Sequence, residues 1–65
     1  MTELSDAVAL SSIATSLSDL HDRVVVIAGH YEGTNRDDLL GTLYEAERQM
    51  RASLRAVERG ARLLR

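Results

Sequence analysis

This chain of 65 residues contains no cysteine, proline, tryptophan or phenylalanine, and none of its basic residues is lysine. Without cysteine there is neither a disulfide framework nor a thiolate metal site to supplement a small core. Without proline, nothing breaks a long helix from within. Two tyrosines are the only aromatics, so the stacking platforms that favour single-stranded nucleic acid are missing. The longest apolar run, Val24 to Ala28, is five residues, against the ~20 needed to span a bilayer. No basic stretch leads into a long apolar core at the N-terminus, so no secretory signal is expected, and a cytoplasmic location fits these absences. The arginine-only usage carries no functional weight.

What the chain does have is a spacing rule. Leu10, Ile13, Leu17, Leu20, Val24, Ile27 and Tyr31 recur at steps of three and four, as do Leu40, Leu43, Glu47, Met50, Leu54, Val57, Ala61 and Leu64. Such stripes predict two α-helices. Folded back at Gly33–Thr34, they register as mirror pairs whose residue numbers add to 67. Ile27 then faces Leu40, Val24 Leu43, Leu20 Glu47, Leu17 Met50, Ile13 Leu54, and Leu10 Val57. The expected architecture is all-α: one antiparallel, coiled-coil-like two-helix hairpin over residues 1–65. Helix one covers about 3–32, the turn 33–35, and helix two about 36–64.

Local signals agree with that division. Thr2 or Ser5 can cap the first turn, and Gly33 suits the left-handed residue that ends many helices. Thr34–Asn35–Arg36–Asp37 reads as a capping box with Asp in place of Glu. The β-branched run Val24–Ile27 reads as helix, because the three–four spacing continues on both sides and no second such run exists to pair with it.

A lone hairpin has a single seam, and at this length its folding balance sits near zero. Yet 45% of the residues are hydrophobic, more than one seam uses. Along one side of the seam lie Ala9, Ser16, Leu39, Ala46, Ser53 and Gly60, with Val26, Ala56 and Leu63 behind them. Mostly small residues stand where coiled coils place long charged ones. They predict a homodimer that forms a four-helix bundle through this side. The plainer reading is a monomer with a bland flank.

The other side of helix two is charged. From Arg48 to Arg65 there are six arginines against Glu58 alone, whereas the preceding 47 residues carry nine acids and two arginines. Arg48, Arg51, Arg55, Arg59 and Arg62 form a stripe at steps of three and four. The plain reading is a solvated face whose stems shield apolar surface. The functional one is docking of a protein partner with an acidic surface, since guanidinium forks fit carboxylates. Nucleic acid or another anionic ligand is the rival, disfavoured by a net charge of −2. A structural assembly subunit that binds only itself is a third reading.

Few residues invite chemistry. Glu47 occupies a seam position, where one polar residue commonly fixes register or oligomeric state; His21, Arg51 and Tyr44 are its nearest candidate partners. No acid or nucleophile faces it as a catalytic companion. His21 and His30 are nine residues apart on opposite flanks, with His21 expected beside Tyr44, and no Glu-x-x-His pair is present. Neither a metal nor a cofactor is expected. With no nucleophile elbow, phosphate loop or dinucleotide fingerprint, the expected function is non-enzymatic: a small helical interaction or adaptor protein.

Overall fold

The computed structural model describes residues 2–65, and among them the only regular elements are two long helices, α1 (Thr2–Gly29) and α2 (Asp37–Leu63). The helices pack against each other along their length as an antiparallel hairpin. It is a rod of 52 × 14 × 11 Å. Its radius of gyration is 15.1 Å, against about 11 Å for a compact domain of this length.

The connection differs from the expected cap. Helix one stops at Gly29, three residues before Glu32, because the chain tightens there: His30 N–H donates to Ile27 O and Tyr31 N–H to Ala28 O, both at 3.0 Å. Gly33 takes the left-handed conformation expected of it, with φ of 76°. The capping box at Thr34 does not form. The residue preceding α2 is Arg36, which makes no side-chain cap bond. Thr34 instead closes the turn, its hydroxyl donating to Tyr31 O at 2.5 Å and accepting from Arg36 N–H at 3.3 Å. Arg36 clamps Asp38 through Nε and Nη2, at 3.1 and 3.3 Å. Together with the Leu39 amide, that clamp holds the Asp38 carboxyl below the usual carboxylate range.

Helix two presents the seam that its spacing predicts: Leu40, Leu43, Glu47, Met50, Leu54, Val57, Ala61 and Leu64 are half-buried or buried. Helix one does not. Leu10, Leu17, Val24 and Tyr31 face inward, but their companions are Ala7, Ala14, His21 and Ala28. Ile13, Leu20 and Ile27 are 48%, 44% and 47% exposed. The helix is turned by about 50°, half of the ~100° between successive residues, from the expected setting. Either setting keeps the Leu10–Leu17–Val24 ridge inside, so spacing alone does not choose between them.

Glu47 supplies the physical reason. In the expected setting its carboxylate would press against Leu20, with His21 set out on the flank beside Tyr44, a costly burial. In the observed one, His21 enters the seam and meets it. His21 then lies beside Glu47 and Leu10 beside Gly60, pairs whose residue numbers add to 68 and 70.

Consequently the interior is thin. Among the described residues, the four buried apolar ones are all alanines: Ala7, Ala14, Ala28 and Ala61. The accessible surface is 4755 Å², against about 4,100 Å² for a globular monomer of 7.2 kDa.

Candidate functional site

Three arrangements emerge from this geometry: a polar cluster inside the seam, an apolar flank and an arginine face. The first is built on His21 and Glu47, whose side chains are 19% and 17% exposed. His21 Nε2 lies 2.9 Å from Glu47 Oε1, and its Nδ1 lies 3.2 Å from Asp22 Oδ1. Arg51, one turn beyond Glu47 on the same helix, reaches Glu47 Oε2 at 3.4 Å. Both imidazole nitrogens face carboxylate oxygens, and donation to both requires the imidazolium form.

The hydrogen bond to Glu47, then that to Asp22, raises the His21 pKa above its ordinary value, while partial burial opposes them. The bond from His21 in turn lowers the Glu47 pKa, with Arg51 assisting. His21 is therefore a seam residue and not a flank contact of Tyr44. The Tyr44 hydroxyl donates instead to Glu32 Oε1 at 2.8 Å, fastening the connecting turn to α2.

Ile13, Leu20 and Ile27 of α1 are exposed, and helical periodicity puts them on the flank of the seam that carries Leu39, Ala46, Ser53 and Gly60 of α2. Leu39, Ala46 and Gly60 are half-buried against helix one, and a Cβ at Gly60 would lie 3.6 Å from Leu10 Cδ1. Ala9, Ser16, Ser53, Ala56 and Leu63 are exposed on the same side, Leu63 at 85%. Val26 is exposed on the outer face of α1, close to Arg23 and Ile27. Sequence reasoning placed Ile13, Leu20 and Ile27 inside and so missed them as surface. The signal that could have found them was the width of the apolar stripe on helix one, which alanines extend beyond a single seam.

The arginines are exposed on the opposite side. Arg48 pairs with Glu45 and Arg51 with Glu47. Among the described residues, no ion pair engages Arg55, Arg59 or Arg62. The face is less purely basic than its stripe implied. Asp19 and Asp22 of helix one line one groove with Glu58, Arg62 and Arg65, so helix one does offer acids opposite the stripe. In that groove Arg65 Nη2 donates to Ser11 Oγ at 2.7 Å.

Neither helix is long and apolar enough to cross a membrane. No protein-family model, curated protein or solved structure matches the chain.

Proposed function

We propose that this protein is a non-enzymatic helical interaction module of the cytoplasm. It pairs with a second copy to form a four-helix bundle and presents its arginine face to an acidic protein partner. One observation carries the reading: a hairpin that buries only alanines fully leaves Ile13, Leu20 and Ile27 in a row on its surface. At ~25 cal/mol per Å², covering three such side chains supplies the apolar burial that one seam lacks. Glu47, held by His21, serves to fix the hairpin's register, because any slip would part the carboxylate from its imidazolium.

Arg55, Arg59 and Arg62 are the partner-facing residues to examine first, since Arg48 and Arg51 already serve carboxylates within helix two. Sedimentation of the wild-type chain should show a dimer. Reversing Arg55 and Arg59 to Glu should preserve that dimer and its helicity while abolishing capture of one discrete protein partner. If capture and cellular phenotype both survive the reversal, the arginine face is only solvated surface. If the chain instead retains polynucleotide with a steep salt slope, the anionic-ligand reading replaces this one.

A further inference from the structure

Helix one carries two possible seams and uses one of them. Leu10, Leu17 and Val24 belong to both. Beside them on one side are Ala7, Ala14, His21 and Ala28, which face α2; on the other are Ile13, Leu20 and Ile27, which stay half exposed. By apolar area alone the second side is the better seam, since large side chains would leave water in exchange for alanines. The observed setting therefore needs a polar lock. Among the described residues, one half-buried side-chain bond joins the two helices, from His21 Nε2 to Glu47 Oε1 at 2.9 Å.

We propose that α1 has two positions: the observed one while His21 is an imidazolium, and one turned by about 50° that buries Ile13, Leu20 and Ile27 once the ring is neutral. The groups that face His21 supply the lock. Asp22 of its own helix lies 3.2 Å from Nδ1. From α2 comes Glu47, whose other oxygen is 3.4 Å from Arg51, with Arg48 also acting on it. An imidazolium donates to both carboxylates; a neutral ring keeps one proton and turns a lone pair on the other carboxylate. The bond that remains has lost its charged donor, and the charge-assisted form is roughly twice as strong.

Glu47 does not obstruct the turn. Arg51 is on the same helix, so the carboxylate keeps that partner wherever α1 settles. His21 moves out to the flank, where water solvates the neutral ring. The observed position is thus complete below the ordinary histidine value of 6.5 and is lost as pH rises through the folded pKa of His21, which lies higher. Alkaline solution then withdraws from the surface the three side chains on which the proposed pairing draws. The turn itself belongs to a single hairpin and does not depend on that pairing.

Nuclear Overhauser contacts between methyl groups read the position, in labelled wild-type chain diluted with unlabelled copies so that each contact arises within one hairpin. At about pH 5.5, below the histidine range, Ala14–Leu54 and Ala28–Leu43 contacts should be strong. At about pH 9.5, below the ionisation of Tyr44, which is raised from 10.0, they should give way to Ile13–Leu54 and Ile27–Leu40. The exchange should follow the titration of the His21 ring resonances. His21→Gln keeps a donor but takes no charge, and should show the isoleucine contacts at both pH values. Alanine contacts that persist at the higher pH while the His21 ring titrates would overturn the proposal. So would loss of helicity there in place of the exchange, or a His21→Gln variant that keeps the alanine contacts throughout.

Discussion

At the scale of single residues, His21 shows how one polar side chain selects among packings that apolar residues leave equivalent. Its imidazole lies between Glu47 and Asp22, and Arg51 steadies Glu47 from behind. Glu47→Leu alone should lower the thermal midpoint, because it leaves His21 and Arg51 without their carboxylate. Adding His21→Leu should restore the midpoint or raise it, since an apolar pair of similar size often replaces an ionic one without loss. Equal midpoints for all three proteins would show the pair to be inert.

The pH dependence has a definite sign. His21, raised from 6.5, contributes stability that is complete below that value and is lost as pH rises through its folded pKa. Glu47, lowered from 4.5, contributes stability present above that value and lost as pH falls through its folded pKa. Denaturation midpoints of wild type minus His21→Gln should therefore peak in mildly acidic solution, between those two ordinary values, and decline toward alkaline pH. A difference that stays flat across the range would dissociate the cluster from stability.

Among elements, α1 carries the lesson. Ala14 is buried at 8% exposure where α2 comes close. Ala14→Leu should overpack the seam by ~1–3 kcal/mol, measurable in urea. Leu20→Ala on the exposed ridge should cost much less in a dissociated chain. Between the helices, Gly33→Ala should lose ~1 kcal/mol by forcing a side chain into the left-handed region at φ of 76°, and Gly33→Asn should lose less.

Much of the hairpin was legible in the sequence. The three–four spacing, the missing proline and the glycine at the turn settle the number of helices, their direction and the main line of the seam on α2. The rotation of α1 was not legible. Leu10, Leu17 and Val24 can be flanked by Ile13 and Leu20 or by Ala14 and His21 without breaking the period, and only the cross-helix partner of Glu47 decides. The cap was misread for a related reason. Thr34 has a local competitor for its hydroxyl, the Tyr31 carbonyl, and that bond closes the turn instead. As for the candidate surfaces, the arginines stand where their spacing put them, but the acids of α1 that share their groove were hidden by the wrong rotation.

Taken as a whole molecule, the rod shows more surface than its mass warrants, and two faces of opposite character divide that surface. If pairing supplies part of the burial, the thermal midpoint must rise with protein concentration, as linkage requires. Ser53→Leu should shift sedimentation toward monomer and erase that dependence, because it crowds the small-residue flank. Ser53 is a better probe than Gly60, where a large side chain would strike Leu10 of its own hairpin. A midpoint that does not vary over a hundredfold dilution of wild type would mean that the hairpin stands alone.

The alanine-only interior has a consequence for how such a protein would live in a cell. If the proposed pairing supplies the last increment of order, the chain is protected from proteases only while its twin is near. Dilution would open it and hasten its removal, and accumulation would lengthen its lifetime. Its amount would then respond to its rate of synthesis more steeply than in proportion, from nothing more than the smallness of Ala7, Ala14, Ala28 and Ala61.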